Sequence, residues 1–247
     1  MVNPADRKQS SRFRQIASIP EDKFEAKLAE AVDTEAVITQ KELLDIAKAE
    51  HRQEVEAKNA VEREQLKANP KPLPNQKYKT IVLDPPWKLA MAKEPDNLRQ
   101  TLQYPHMEID EIKALPVPNL LEEDARIFLW AINRFLPDAY DLIKHWGLDY
   151  RFTMVWKKTT GMKPVNYPQM NAEYIIVATR GNTRNIGFYD ETNFYACFEA
   201  PSKGHSVKPV EFYELLERIS PGPRLDMFAR SPHEGFDGWG TEQHNLS

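Results

Sequence analysis

The sequence predicts an α/β domain with a largely parallel sheet, preceded by a helical N-terminal extension. After residue 77, short apolar runs rich in β-branched and aromatic residues alternate with helical stretches. Before residue 70 the composition is different: of the 25 aromatic residues only Phe13 and Phe24 lie there, and all nine glycines lie at or after Gly147. We therefore expect three parts, with residues 1–70 as the helical extension, 71–77 as a proline-rich linker and 78–247 as the α/β domain.

The sequence of the extension predicts two helices. One follows Pro20 and covers roughly residues 21–32. The second covers about residues 39–68, and its Thr39 and Glu42 have the spacing of a capping box. Its second half is mostly charged, so we expect it to be solvated or to pack against a partner. Residues 1–70 carry 12 Lys or Arg against 14 Asp or Glu, which gives no net attraction to phosphate. Local contact with nucleic acid would use Arg7, Lys8, Arg12 and Arg14.

Five apolar runs of the second part are predicted strands. Helical stretches precede the third run, at residues 134–147, and the last run, at 209–220, where Pro209 suits a first helical turn. Ligands of such sheets bind beyond the carboxyl ends of the strands, so we expect the functional residues there. The runs cover residues 79–83, 125–131, 150–156, 173–179 and 225–229.

Composition excludes several classes of protein. The net charge of −4 argues against a uniformly basic coat for nucleic acid, although a local basic cleft remains compatible with it. One cysteine excludes a disulfide scaffold and a multi-cysteine metal site, and Cys197 is expected to be a packed small side chain. The six histidines lack metal-ligand spacing, so no metal is expected. Without a run of about 18 apolar residues we expect no membrane segment, and a cytoplasmic location, or a nuclear one in a eukaryote.

The sharpest motif is Asp84-Pro85-Pro86-Trp87, directly after the first predicted strand. The two prolines fix φ and lack N–H groups, so a stiff corner presents the Asp84 carboxylate and the Pro85 carbonyl. These groups suit a planar base with an exocyclic amine, which would stack on Trp87 and donate hydrogen bonds to both acceptors. The alternative is a simple Asp-Pro turn followed by a tryptophan packed in the core.

Four blocks in order resemble the MT-A type of adenine-N(6) methyltransferase, named after a seventy-kilodalton subunit. They are the DPPW motif at 84–87, FLW at 128–130, HSVKP at 205–209, and SPGPRLDMFAR at 220–230 with the tail WGTE at 239–242. The resemblance covers about residues 78–243. It implies S-adenosyl-L-methionine as methyl donor and a Rossmann-like methyltransferase fold in permuted motif order, with the catalytic strand first and the donor-binding strand late.

The resemblance also implies the roles of individual residues. The catalytic corner would be Asp84, Pro85, Pro86 and Trp87. Lys208 precedes a helix and would hold the donor carboxylate, whereas an ordinary solvated lysine is the alternative. His233 matches the family only if one residue, Ser231, is inserted, and Thr241 stands where asparagine is usual. The implied donor-binding residues are Asp84, Lys208, Asp226, Phe228, Arg230, His233, Thr241 and Glu242.

Two segments are expected to border the substrate, residues 88–107 and 157–168. Tyr104 falls where the family has a tyrosine near the acceptor base, and Glu173 matches an acid near the same site. The second segment is basic and aromatic, which suits phosphates and an unstacked base. Solvated loop charges are the alternative for its individual members, which are Lys157, Lys158, Lys163 and Tyr167.

The sequence thus predicts a methyltransferase acting on the exocyclic amine of adenine in nucleic acid. DNA is favoured over RNA because the compact form, with its short helical extension, looks like prokaryotic or phage members. Two other hypotheses stay open: a catalytically inactive nucleic-acid-binding scaffold of the same fold, and methylation of free adenine or a small amine. The N-terminal helices would supply contacts to a protein partner or to a second copy in a homodimer.

Overall fold

The computed structural model describes residues 4–69, 72–88, 106–162, 168–182, 184, 194–202, 207–229 and 231–240. The chain divides into two compact units, of which the first ends at Glu64 and the second begins at Gln65. The following paragraphs take each unit by itself.

The first unit is helical, as predicted. Its helices are α1 (Pro4–Ala17), α2 (Glu21–Asp33) and the greater part of α3 (Gln40–Ala68). The capping box at the start of α3 is confirmed, since the Thr39 N–H donates to Glu42 Oε2 at 2.8 Å and the Glu42 N–H donates to Thr39 Oγ1 at 3.3 Å. Among the described residues of this unit, Ile19, Ala47 and Asn59 are buried. The small interior agrees with the scarcity of aromatic residues.

The second unit is built on a seven-stranded sheet in the order β5-β3-β4-β2-β1-β6-β7. Of the strands described, β4 runs against the other six, which are parallel to one another. This confirms the predicted α/β class with a mostly parallel sheet. The strands are β1 (Tyr78–Leu83), β2 (Leu121–Ala131), β3 (Asp149–Met162), β4 (Met170–Arg180), β5 (Cys197–Ala200), β6 (Arg224–Met227) and β7 (Asp237–Trp239).

Helices cover both faces of this sheet. They are α4 (Ile109–Lys113), α5 (Val117–Leu120), α6 (Leu136–His145), which follows a 3-10 turn (Asn133–Phe135), and α7 (Val210–Ile219). Successive residues of a strand point to opposite faces. Ile81 therefore packs in the cluster that contains Leu142 of α6, whereas Val82 packs in the cluster that contains Phe212 of α7. The two apolar layers hold the strand ends in fixed positions.

The helix α1, the strands β5 and β7 and the short helices α4 and α5 were not predicted. The two strands have four and three residues, and β7 includes a glycine, so neither produces a periodic apolar pattern. The expectation that Cys197 is packed is wrong. It opens β5, which is the edge strand of the sheet among the strands described, and it is exposed.

The end of the linker is fixed to the last strand. The indole Nε1 of Trp239 donates to the Pro72 carbonyl at 3.1 Å, and the hydroxyl of Tyr78 donates to Asp237 Oδ2 at 2.9 Å. Gln76 also donates to the Asp237 carboxylate. The N-terminal end of β1 is thereby tied to β7, at the opposite end of the strand from Asp84.

The reversed direction of β4 decides which residues meet. The carboxyl ends of β1, β2, β3 and β6 lie at the same edge as the beginning of β4. In register, Leu83 of β1 pairs with Leu129 of β2, and Trp156 of β3 pairs with Glu173 of β4. The motifs that follow β1 and β6 therefore reach the same edge as Glu173.

Candidate active site

The Asp84 corner is a tight, hydrogen-bonded turn. The backbone N–H of Asp84 donates to the Met227 carbonyl at 3.4 Å, which ties the corner to the end of β6. The N–H of Trp87 donates to the Pro85 carbonyl at 2.8 Å, closing a three-residue turn. A carbonyl has two lone pairs, so the Pro85 oxygen keeps the capacity for a second donor. The corner presents the carboxylate as the sequence predicted.

Trp87 differs from its predicted role. Only 8% of the residue is exposed, and its ring lies parallel to that of Phe135, with 5.0 Å between centroids and 12° between planes. Its Nε1 donates to the Trp130 carbonyl at 3.1 Å. The indole therefore anchors the corner in the core, and the expectation that a base stacks on it is corrected, because its ring is already packed. The alternative of a core tryptophan describes this residue.

Lys208 joins two carboxylates at the corner. Its Nζ lies 2.9 Å from Asp84 Oδ2, 3.0 Å from Glu173 Oε2 and 4.6 Å from the centroid of the Trp130 ring. Burial opposes the charge of this lysine, but Asp84 and Glu173 outweigh burial and raise its pKa above the ordinary value. Lys208 is therefore a buried, permanently charged ammonium group and not a solvated surface lysine.

Glu173 extends this arrangement to the basic strand β3. Its second carboxylate oxygen accepts a hydrogen bond from Lys158, whose Nζ lies 4.8 Å from the Trp156 ring centroid. Burial alone would raise the pKa of Glu173, but the ammonium groups of Lys208 and Lys158 lower it to about 2. Two acids and two bases thus alternate in the order Asp84, Lys208, Glu173 and Lys158, which we call the charge chain.

The charge chain predicts a specific dependence of stability on acid. The folded-state pKa of Glu173 lies below its ordinary value of 4.5, so its ionised form stabilises the fold above that pH. This contribution is lost as the pH falls from about 4.5 towards 2. Glu173→Gln is expected to lower the free energy of unfolding by about 3 kcal/mol at pH 7, because the buried Lys208 and the partly buried Lys158 lose a partner. The loss should be much smaller near pH 3, as measured by urea unfolding at both pH values.

A control for this measurement is Glu199→Gln. Glu199 pairs with Lys157 at 2.7 Å, but its side chain is 54% exposed, so the change should be below about 1 kcal/mol. Equal losses for Glu173→Gln at pH 7 and pH 3 would contradict the charge chain.

A cleft with a cavity volume of about 40 Å³ opens beside Asp84. It combines two carboxylates, Asp84 and Asp226, with the Lys208 ammonium group and aromatic surface. Carboxylates suit an ammonium group or hydroxyls, and the lysine suits a carboxylate, so this set fits a zwitterionic amino acid joined to a sugar. The lining residues are Asp84, Val207, Lys208, Tyr213, Asp226, Phe228, Ala229, Ser231 and His233.

Asp226 lies almost fully buried at the end of β6, with 2% exposed. The Tyr213 hydroxyl donates to its Oδ2 at 2.8 Å. Burial raises the pKa of Asp226 to about 7, the Tyr213 hydrogen bond and the Lys208 charge act to lower it, and Asp84 acts to raise it. The ring of His233 stacks on Tyr213, with 3.4 Å between centroids, and burial lowers the pKa of this histidine.

The wall of the cleft at Phe228 depends on a close backbone approach. Phe228 has φ of +66°, an unusual left-handed conformation for a non-glycine residue, and its N–H donates to the Trp239 carbonyl. Gly240 lies against it with φ of +141°, and a Cβ there would stand 2.7 Å from the Phe228 Cα. This contact holds Phe228 at the rim.

Gly240→Ala is accordingly expected to lower the free energy of unfolding by about 3 kcal/mol, through backbone strain and the clash with Phe228. Gly147→Ala is the matched control, because Gly147 also has positive φ, +67°, but no atom within 4 Å of its Cβ position. The control should cost about 1 kcal/mol. Thermal unfolding measures both, and equal losses would show that the Gly240 contact is unimportant.

Apart from Pro85, Pro86 and Trp87 of the corner, which are described above, the predicted site residues divide into three groups. The structure brings together Asp84, Lys158, Glu173, Lys208, Asp226, Phe228 and His233 in the charge chain and the cleft. Lys157 is exposed and pairs with Glu199 at the β3–β5 edge. The remaining predictions lie outside the described residues: Tyr104, Lys163, Tyr167, Arg230, Thr241 and Glu242.

Two residues of the site were missed from the sequence. Trp130, which ends the FLW run, lies under Lys208, and Tyr213 of α7 holds Asp226. An aromatic residue at a predicted strand end was the available signal for Trp130. For Tyr213 the helical pattern indicated only a buried face, which the structure confirms.

Within the described ranges, no group of three or more His, Cys, Asp or Glu is placed to hold a metal ion. Among the helices that the structure describes, none is both long and apolar enough to cross a membrane.

Comparison with known proteins finds relatives that are named as methyltransferases. The chain is 30% identical over 178 residues to the N(6)-adenosine-methyltransferase MT-A70-like protein of Drosophila melanogaster, covering 69% of this chain and 27% of that protein. It is 27% identical over 178 residues to the human N(6)-adenosine-methyltransferase catalytic subunit METTL3, covering 69% and 28%. It is 24% identical over 188 residues to the type II methyltransferase M.MunI of Mycoplasma sp, covering 69% and 79%.

The chain thus spans about a quarter of the length of the first two relatives and most of the third. The sequence model of the MT-A70 family matches residues 78–242, which begin with β1 and include the corner, the charge chain and the cleft. The chain belongs to the MT-A70 family of methyltransferases.

Proposed function

We propose that this protein transfers a methyl group from S-adenosyl-L-methionine to the exocyclic amine of adenine in nucleic acid. The observation that carries the proposal is the position of Lys208, held between Asp84 and Glu173 at the edge of a cleft that also contains Asp226. One cation between carboxylates, beside a stiff Asp-Pro corner, provides partners both for an amino-acid end and for an amine.

The donor would lie in the cleft. Lys208 would bind its carboxylate, Asp84 and Asp226 would accept from its ammonium group or ribose hydroxyls, and Phe228 would give an apolar wall. S-adenosyl-L-methionine supplies an electrophilic methyl group when bound. Lys208 is paired with Asp84, so donor binding would exchange part of this ion pair for contacts with the ligand.

The chemical task of the corner follows from the weak nucleophilicity of the adenine amine, whose lone pair is delocalised into the ring. Hydrogen bonds from its two hydrogens to Asp84 and to the Pro85 carbonyl favour a pyramidal nitrogen with a usable lone pair. The corner is fixed by backbone hydrogen bonds and by the packed Trp87, so these acceptors are held in position before the substrate arrives.

The strand β3 carries two neighbouring lysines. Lys158 bonds to Glu173, and Lys157 forms an exposed pair with Glu199. These lysines support phosphate binding, and a base in a duplex would have to leave the stack to reach Asp84, at a cost of a few kcal/mol. We favour DNA as the substrate because the chain covers 79% of the compact type II methyltransferase of Mycoplasma sp.

The helical extension is proposed to bind a protein partner or a second copy of the chain. Exposed apolar side chains on α1 and α3 support this, namely Phe13 at 55% and Val61 at 60% exposure. Replacing both with glutamate and measuring the molar mass by light scattering, alone and in the presence of nucleic acid, tests the homodimer.

The proposed function is tested with labelled methyl donor and four separate substrates, single-stranded and duplex oligonucleotides of DNA and RNA, followed by nucleoside analysis. We expect labelled N(6)-methyl adenine nucleosides, with DNA above RNA. Binding of nucleic acid without any binding of donor in a calorimetric titration would instead identify the inactive scaffold. Methylation of free adenine alone would identify the small-molecule enzyme.

A further inference from the structure

We propose that Tyr213 is a positioning residue of the donor site, which keeps the Asp226 carboxylate ionised and in place and so sets the pH range in which the donor binds. The inference rests on the proposed function, because it assumes that the cleft takes S-adenosyl-L-methionine. Tyr213 itself acts through Asp226.

The first observation is the position of Tyr213 in the chain. It lies in the first turns of α7, five residues after Lys208, and only 5% of it is exposed. Its hydroxyl donates to Asp226 Oδ2 at 2.8 Å, across to β6. The start of α7 therefore positions the Lys208 ammonium group and, through this hydrogen bond, the Asp226 carboxylate.

The second observation is the packing of the Tyr213 ring. His233, from the loop after β6, stacks on it with 14° between the planes, and Phe236 meets it edge-on with 5.4 Å between centroids. Phe212 closes a third side with centroids 5.4 Å apart. Packed on three sides, the ring has little freedom to turn, so the direction of its hydroxyl towards Asp226 is fixed.

The third observation concerns the charges around Asp226. Its neighbours in the sheet, Val82 and Gly238, have no ionisable group. The groups that face it come from other elements: Asp84 after β1, and Lys208 and Tyr213 at the start of α7, while His233 covers Tyr213 from the loop after β6.

These contacts have opposing effects on Asp226. Burial raises the pKa of Asp226 to about 7, the Tyr213 hydrogen bond acts against this rise, and Lys208 and Asp84 act in opposite directions. A hydroxyl that donates to the carboxylate stabilises its ionised form. Removing the hydroxyl should therefore raise the pKa of Asp226 further and leave a larger fraction of it protonated at neutral pH.

The direction of the effect on binding follows. The ionised carboxylate accepts hydrogen bonds from ammonium or hydroxyl groups, whereas a protonated acid accepts them poorly. Donor affinity of the natural protein should fall as the pH drops below about 7. In Tyr213→Phe this fall should begin at higher pH, so that affinity is about tenfold weaker at pH 7.5 and returns to within about twofold at pH 9.

The matched control is Tyr78→Phe. Tyr78 is also buried, with 1% exposed, and its hydroxyl also donates to a carboxylate, Asp237 Oδ2, at 2.9 Å. It lies at the N-terminal end of β1 and does not line the cleft. Both variants lose the same hydroxyl, which in Tyr78 also accepts a hydrogen bond from Gln76 at 3.2 Å. Both should therefore lose stability, whereas only Tyr213→Phe should shift the pH dependence of binding.

Two measurements on the full chain test the inference. The first is the titration of the Asp226 carboxyl by carbon NMR without donor, with Asp226→Asn to assign the signal. The second is the dissociation constant of S-adenosyl-L-methionine from pH 5.5 to 9, for the natural protein and both variants. We expect Tyr213→Phe to move both midpoints upward together, and Tyr78→Phe to move neither.

Unchanged midpoints in Tyr213→Phe would overturn the inference, as would an equal shift in Tyr78→Phe. If the natural protein bound no donor at any pH, the proposed function would fail, and the carboxyl titration would still decide whether Tyr213 controls Asp226. The two failures are therefore distinguishable.

Discussion

Asp84→Asn is expected to lower the rate of methyl transfer by at least about 1,000-fold while the fold persists. The amide keeps the size of the side chain but loses the negative charge, and its NH₂ end cannot accept a hydrogen bond from the adenine amine. The Asp84 carboxylate would also accept from the ammonium group of the donor, so donor affinity should fall as well. Single-turnover assays with saturating donor separate the loss in the chemical step from the loss in binding.

The control for this variant is Asp110→Asn. The Asp110 side chain is 96% exposed in α4 and pairs weakly with Lys113 at 3.8 Å, so its loss should leave both rate and stability nearly unchanged. Circular dichroism and thermal unfolding establish that Asp84→Asn is folded. A folded Asp84→Asn variant with turnover near that of the natural protein would refute the assigned role of the corner.

Lys208→Met is expected to have the second largest effect, on binding and stability together. Methionine matches the length and apolar body of lysine, but it leaves Asp84 and Glu173 without their shared cation in a buried site. The free energy of unfolding should fall by about 3–5 kcal/mol, and donor affinity should fall by more than about 100-fold. Urea unfolding and calorimetric donor titration measure the two effects.

A double variant keeps this prediction testable if Lys208→Met is too unstable to purify. Adding Glu173→Gln removes one of the two carboxylates that Lys208→Met leaves without its cation. The double variant should therefore recover part of the lost stability without recovering donor binding. Lys157→Met serves as control, because the Lys157 side chain is 55% exposed and its removal should cost less than about 1 kcal/mol. Recovery of donor binding in the double variant would contradict the carboxylate-binding role of Lys208.

Much of this site was accessible from the sequence, because its parts follow strand ends. Asp84 follows β1, Asp226 lies in the apolar run that forms β6, and Lys208 precedes a helix with a clear apolar face. Local patterns of this kind fix which end of an element a residue occupies. The rule that ligands bind at the carboxyl ends of parallel strands then brought these residues together.

The sequence alone could not predict which charged residues of the charge chain pair with one another. Glu173 meets Lys208 and Lys158 because β4 alone runs against the other strands that the structure describes, so its beginning lies at their carboxyl ends. Strand direction depends on contacts between residues far apart in the chain. The apolar run of β4 looks the same in either direction, so periodicity carries no information about it.

Trp87 shows a second reason why the sequence alone could not predict the whole site. A tryptophan after a strand serves equally well as a platform for a base or as an anchor in the core, and its own sequence context is the same in both cases. Phe135 decides between them by occupying a face of the ring, and it comes from a 3-10 turn 48 positions later in the chain. Tertiary packing, which local patterns do not encode, made the difference.

The central claim is that the Asp84 corner binds the adenine amine by hydrogen bonds and holds it beside the donor methyl group. The most direct measurement is a crystal structure of the full chain with a bisubstrate analogue, in which the adenine N6 is joined covalently to the donor at the position of the methyl group. We predict N6 within about 3 Å of both an Asp84 carboxylate oxygen and the Pro85 carbonyl, with the amino-acid carboxylate on Lys208. An analogue bound with its adenine away from the corner, and with Asp84 paired only to Lys208, would contradict the claim.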